Sequence, residues 1–227
     1  MIISNRFVSL DYLRVLAATA VIFSHSYALS KFPEAEPLIY IFTAIDVSSI
    51  AVNFFFFLSG YLMLSASART KNALHFLVNR FSRIFPGVAL SVALAVFFAL
   101  FVTDLNIYEY LSSLETIKYF KNAIFLFNPY LPGVFVNNPY PLVVNGSLWT
   151  ISYEVLCYLI LTLFIFCFRK VMIYVMSALM LACFYLLAVS NPAEISFFNH
   201  FFRLFFFFAC GFLFADFFKR KVFSMSS

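Results

Sequence analysis

Six apolar runs, each long enough to cross a bilayer as a helix, set the limits on what this chain can fold into. They run approximately Leu10–Leu29, Leu38–Leu64, Ile84–Thr103, Leu148–Phe168, Val171–Val189 and Phe201–Phe218. A segment in hydrocarbon must satisfy its own backbone hydrogen bonds, and a helix does so. The runs therefore predict an all-α fold, a polytopic transmembrane helix bundle of about six spans. Composition agrees, with 64% hydrophobic and only 11% charged residues, against about 25% charged in an ordinary soluble domain. That balance excludes a disordered chain, a nucleic-acid-binding domain and an ordinary cytosolic enzyme.

The basic residues predict the orientation. Arg69, Lys71, Arg80 and Arg83 follow the second run, Arg169 and Lys170 the fourth, and Lys219, Arg220 and Lys221 the sixth. Every second connection is thus strongly basic, which puts these three segments and both termini on the cytoplasmic side. Residues 219–227 read as a short basic cytoplasmic tail. Arg6 before an apolar run fits a signal peptide loosely. Arg14 inside the run, and the lack of a clear small-residue cleavage site, favour a retained span. Cys157, Cys167, Cys183 and Cys210 lie in apolar runs without C-x-x-C spacing, so neither a disulfide framework nor a metal site is expected.

Two connections are more than turns. Ser65–Arg83 mixes apolar and basic residues and predicts a helix on the inner membrane surface. Asp104–Gly146 is long, with an aromatic stretch at Tyr119–Phe127 too short to span, and long loops of this kind often serve as lids or binding segments. Ser147 is expected to cap the fourth span.

Ionisable residues inside a span are costly, about 2.5–3.5 kcal/mol at the centre on insertion scales, and mark function by default. Arg14 and His25, eleven residues apart, share one helix face about 16 Å apart along the axis. Asp11 falls on the same stripe and is placed to pair with Arg14. Glu154 counts to about 10 Å below the outer surface, and His25 to about 18–22 Å above the inner one. In a core about 30 Å thick these depths coincide. An imidazole beside a carboxylate is an arrangement that suits a general base. Interhelical hydrogen bonding is the plain alternative. Arg80 and Arg83, three residues apart, suit bidentate phosphate binding or, more plainly, a basic membrane-surface helix. Asp46 is a further ionisable residue within an apolar run. Arg203 and Asp216, at opposite ends of the sixth, read as interface anchors.

Together these residues resemble one family. LDYLRVLAATAVIFSH (Leu10–His25), AVNFFFFLSGYLM (Ala51–Met63), NRFSRIFP (Asn79–Pro86) and NGSLWTISYE (Asn145–Glu154) are similar, in order and in place, to motifs of the acyltransferase family 3 proteins. These are integral membrane acyltransferases that commonly O-acetylate bacterial surface glycans. Asn53 stands where that family often has an acidic residue, and Thr150 where it often has Ser. Family members usually continue with several more spans, so residues 1–227 correspond to the N-terminal part of a single membrane acyltransferase-like domain.

The resemblance implies transfer of an acyl group, most simply acetyl from acetyl-CoA, to a hydroxyl of a cell-surface or lipid-linked glycan. It assigns catalysis to His25, with Glu154 and Ser152 orienting it or the acceptor. Arg14, Arg80, Arg83, Asp11 and Trp149 are the acyl-CoA and substrate-binding candidates. No bound cofactor and no metal is expected. The partners are the lipid bilayer, acyl-CoA and a carbohydrate acceptor, without nucleic acid, and the location is the inner membrane. A flippase or transporter subunit for a lipid-linked glycan, or an inactive truncated fragment, are the competing readings.

Overall fold

Polar residues decide where the apolar runs break into helices. The computed structural model describes residues 2–30, 32–42, 45–70, 72–168, 170–190 and 196–224, with side chains from residue 10 to residue 221. Among these residues the helices are α1 (Ile2–Ala28), α2 (Pro37–Phe42), α3 (Val47–Ala68), α4 (Ala73–Ala99), α5 (Ile107–Ser112), α6 (Leu114–Tyr119), α7 (Trp149–Cys167), α8 (Met172–Val189) and α9 (Phe197–Ser224). Short 3-10 turns lie at Pro33–Ala35, Phe120–Ile124 and Gly146–Leu148, and there is no strand among the described residues. Five helices, α3, α4, α7, α8 and α9, are long and apolar enough to cross a membrane. Helix α1, 27 residues long, carries Asp11 and Arg14 in its first half.

Two expectations are corrected. The second run, expected as one span from Leu38, is divided into α2 and α3. The Asp46 side chain accepts from the Ser49 amide and caps α3, while Glu36 accepts from the Val47 amide at 2.7 Å, so the helix starts at Val47. The expected surface helix ending at Arg83 is not separate. Helix α4 begins at Ala73 and runs without a break through Pro86 to Ala99, although that proline removes one helical N–H. Lys219, Arg220 and Lys221 of the expected basic tail continue α9, which runs to Ser224, and residues 225–227 lie outside the described residues.

The chain packs as two compact units, residues 1–73 with 160–227, and residues 74–159. In the second unit, Val88, Val92, Val96 and Ala99 of α4 form a core with Tyr110, Tyr119, Leu131 and Val134 of the long connection. The connection folds back along α4. The Tyr110 phenol donates to the Val96 carbonyl at 3.1 Å, and Phe125 stacks on Phe81 at 5.7 Å between centroids. The chain then returns to the end of α4, where the Asp104 amide donates to the Gly133 carbonyl and Thr103 Oγ1 to the Pro132 carbonyl. Gly133, at φ 67°, makes that turn in a conformation other residues rarely adopt.

In the first unit, α9 packs on α3 and α8, and α3 packs also on α1. Leu204, Phe205, Phe208 and Phe212 supply the buried stripe of α9. Two glycines let α3 and α9 meet backbone to backbone. A Cβ on Gly60 would stand 1.9 Å from the Phe208 carbonyl oxygen, and one on Gly211 1.9 Å from that of Phe57. Each glycine Cα thus lies within about 3.4 Å of the facing oxygen, given a Cα–Cβ bond of about 1.5 Å. That is the range of Cα–H···O contacts. Gly60→Ala or Gly211→Ala must push the helices apart and should cost about 1–3 kcal/mol. Gly87, with nothing within 4 Å of an added Cβ, is the internal control. Its alanine variant should be neutral or gain up to about 1 kcal/mol from helix propensity. Thermal unfolding of the purified protein in detergent measures all three, and equal midpoints would refute the close-contact account.

Candidate functional site

The residues singled out in the sequence fall into both units. In the first unit, α1 turns inward the stripe Arg14, Ala17, Ser24 and His25, with Ala17 and Ser24 buried and Arg14 and His25 half-buried. The expected Asp11–Arg14 pair is present at 3.5 Å, with Asp11 exposed. His25 occupies the last turn of α1, and its carbonyl accepts from the Leu29 amide.

In the second unit, Arg80 and Arg83 do not behave as a matched pair. Arg80 lies on the packed face of α4 with its guanidinium over the Phe76 ring, 5.9 Å from the centroid, whereas Arg83 is exposed. Trp149 opens α7 and meets Tyr153 edge to face at 5.4 Å. Ser152 donates to the Phe125 carbonyl at 2.6 Å. Phe125 sits in the left-handed region at φ 65°, which costs about 1–2 kcal/mol for a residue with a Cβ. The stacking on Phe81 and the Ser152 bond help to hold it there. Glu154 accepts from the Tyr158 phenol at 2.5 Å, one turn along α7. Tyr158 was legible as the i+4 neighbour of Glu154 and was missed.

The depth assigned to Glu154 by counting from the start of its run needs correction. Asn145 Nδ2 donates to Ser91 Oγ at 3.0 Å, and Ser91 lies eight residues, or about 12 Å, before the end of α4. Ser152 reaches the residue that stacks on Phe81. Helix α7 therefore starts well along α4, and Glu154 belongs with the half of α4 that carries Arg80 and Arg83. Ser147 does not cap the helix with its hydroxyl; its carbonyl accepts from Thr150 instead.

A second polar cluster was only half seen. Asp46 accepts from the Ser49 amide and from both the Ser48 and Ser49 hydroxyls. Burial pushes its carboxyl up, but these bonds and the charge of Arg203 outweigh burial and hold it below its ordinary value. Arg203 is half-buried, and its Nε has no hydrogen-bond partner among the described residues. It is therefore not a simple interface anchor. His200, one turn earlier on α9, lies in the same electrostatic field. Asp216 does fit the anchor reading, paired with exposed Arg220 at 2.6 Å.

The fold defines a polytopic helical membrane protein, with ionisable side chains set along its long helices. The chain belongs to acyltransferase family 3: the model described as an acyltransferase domain matches residues 7–226. It is 34% identical over 151 residues, 66% of this chain and 43% of the relative, to the O-acetyl transferase of Shigella phage Sf6. It is 28% identical over 170 residues, 70% of this chain and 44% of the relative, to nodulation protein 10 of Rhizobium leguminosarum bv. viciae. The chain thus spans less than half the length of these curated relatives. No solved structure matches it.

The Asp46 cluster gives a test with a defined sign. Asp46→Asn keeps an oxygen to cap α3 and loses the charge facing Arg203, while Asp46→Ala loses both. The Ala variant should be less stable by about 1 kcal/mol, the usual worth of a cap, with Asn between it and the parent. The folded carboxyl is the more acidic one, so its contribution is complete above the ordinary value of 3.8 and is lost as pH falls through the lowered value. The Asp-to-Asn difference should persist from neutral pH to about pH 5 and fade in stronger acid. Melting midpoints across that range check both points, and a difference that grows on acidification would contradict the assignment.

Proposed function

We infer that this chain serves in the transfer of an acyl group, most simply acetyl from acetyl-CoA, to a hydroxyl of a cell-surface or lipid-linked glycan at the inner membrane. The observation that carries this reading is the family match along nearly the whole chain, together with a relative named O-acetyl transferase. The chemistry required is modest. The hydroxyl oxygen forms a bond to the thioester carbonyl carbon, the C–S bond breaks, and the hydroxyl proton passes through a base to the departing CoA thiolate. A sugar hydroxyl is a weak nucleophile until a base takes its proton. Imidazole exchanges protons near neutral pH. His25 is assigned as the base, and Glu154, held by Tyr158, as a carboxylate for the acceptor. Ser152, already donating to Phe125, keeps its oxygen lone pairs for an incoming hydroxyl.

Arg83, exposed on α4, is assigned to the phosphates of CoA, with Arg80 packed behind it. Arg14, Asp11 and Trp149 complete the substrate-binding set. The flippase reading uses the same charges but no base, and the two separate on mutation. His25→Gln preserves hydrogen bonding without an effective base. It should fail almost as badly as His25→Ala, losing about 10²–10⁴-fold in glycan acetylation with radiolabelled acetyl-CoA in membranes. An active, well-inserted Gln variant would remove His25 from catalysis. Arg83→Lys keeps the charge and loses the planar fork. It should raise KM for acetyl-CoA more than KM for the glycan, whereas an equal loss for both would assign Arg83 to folding.

A further inference from the structure

Arg203 is a charge inside a membrane-spanning helix, and no ion pair among the described residues involves it. It stands sixteen residues before Lys219 on α9, about 24 Å of helix. With Lys219 at the inner boundary of a hydrocarbon core about 30 Å thick, Arg203 lies about 6 Å inside the outer one. Its Nε is buried without a hydrogen-bond partner among the described residues. Asp46, which feels its charge, is already bonded to the Ser49 amide and to the hydroxyls of Ser48 and Ser49. An ionisable group so placed is costly and marks function by default.

Helix α3 carries a second orphan. Asn53 Oδ1 is buried and equally without a partner among the described residues. Asn53 and Gly60, seven residues apart, share a face of α3 to within about 20°. Arg203 and Phe214, eleven apart, share a face of α9 to the same margin of about 20°. Gly60 and Phe214 both take part in the contact between these helices. The helices run the same way, because the charge of Arg203 acts on Asp46 at the start of α3. Run oppositely, the two would fall on either side of the glycine crossing, about 30 Å apart. Asn53 is seven residues ahead of Gly60, and Arg203 is eight ahead of Gly211. Their heights above the crossing thus differ by about 1.5 Å.

The two orphans are of opposite kind. Arginine Nε–H only donates, and an amide oxygen only accepts. They do not bond to each other, so a third group belongs between them. An anion would satisfy only Arg203, and an ammonium only Asn53. A hydroxyl accepts from one and donates to the other. Above the pair, Asp46, Ser48, Ser49, Ser196, Asn199 and His200 are half-buried, a lining of mixed donors and acceptors at the outer end of both helices. Below it, buried Phe208 and Phe212 and the glycine contact close the floor.

We propose that Arg203 Nε and Asn53 Oδ1 hold one hydroxyl of the carbohydrate acceptor between them, in a polar recess at the outer end of the first unit. Arg203 donates to the hydroxyl oxygen, and the hydroxyl donates to Asn53. The pair binds and orients the sugar and takes no proton from it. Helix α1, which carries His25, packs on α3 in the same unit, so the recess and the assigned base share one framework. The identity of the ligand rests on the acyl-transfer reading, whereas the need for a bridging group does not.

Two measurements separate the site from the reaction. In protein carrying isotope-labelled arginine, purified in an amine-oxide detergent free of sugar, the Nε–H resonance of Arg203 is identified by its loss in Arg203→Lys. Surface glycan extracted from the expressing cells, its O-acetyl groups removed by mild alkali, should shift that resonance. The same glycan chemically peracetylated should not, and neither should the alkali-treated glycan in Asn53→Leu, with Asn53→Ala as substitute if Leu fails to insert. No shift with the alkali-treated glycan, or an equal shift with the peracetylated one, would overturn the proposal. In membranes, Arg203→Lys and Asn53→Leu should each raise KM for the glycan about 10-fold and leave KM for acetyl-CoA within about twofold. Because they share one hydroxyl, the double variant should exceed either single by no more than about twofold. Equal rises for both substrates, or additive losses, would assign the pair to folding and overturn it. A parent that shows the shift but transfers no acetyl group would overturn the acyl-transfer reading and leave the site standing.

Discussion

The first unit depends on a contact that contains no side chain. Where α3 crosses α9, Gly60 and Gly211 each present a bare Cα to a carbonyl oxygen of the other helix. In lipid the hydrophobic effect gives no net pull between helices, and close van der Waals approach must supply it. The approach then sets what flanks it. Phe57 and Tyr61, one turn apart on α3, both meet Phe214 of α9, at 5.8 and 6.2 Å between ring centroids. With α3 and α9 this close, Asp46 and Arg203, near the start of each helix, come within electrostatic reach. The glycine crossing and the charged cluster are thus one arrangement read at two points along the same helices.

The second unit is organised by a helix that ignores two apparent stop signals. Charged residues and a proline in Arg80–Pro86 are the features that usually end a helix or hold it at a surface. Helix α4 continues because its packed face, from Phe76 through Val88 to Ala99, keeps a helical period across them. One rod therefore carries Arg80 and Arg83 near one end and the Thr103–Gly133 closure at the other. The connection that closes there also holds Phe125 in a strained conformation for Ser152 to grip.

The spans of α4, α7, α8 and α9 were legible because long apolar runs leave few alternatives. The stripe of Arg14 and His25 on α1 followed from the helical period. The break before α3 was not legible, since Asp46 in an apolar run reads equally as a functional charge and as a cap, and only its bonds to Ser48 and Ser49 decide. The depth of Glu154 was missed because counting along one helix assumes that it starts at the surface. Asn145 on Ser91 is a contact across 54 positions of sequence, and no periodicity reports it. The same holds for Asp46 and Arg203, each noticed alone. Pairing requires knowing which helices are neighbours, and that is decided by two glycines that look unremarkable in sequence.

The order of the units along the chain has a consequence for biogenesis. The first unit is made from both ends of the sequence, with the second inserted between them. During synthesis α3 leaves the ribosome well over a hundred residues before α9, and until then Gly60 has no partner. The inserted unit, whose contacts are local by comparison, is positioned to fold first and to wait. Contacts of long sequence separation form late and slowly. Between those two events the chain carries an open groove on α3, flanked by Phe57 and Tyr61 and shaped for a helix not yet made. Translation speed through the intervening stretch, and any chaperone that shields that groove, then govern how much of the protein reaches its final form.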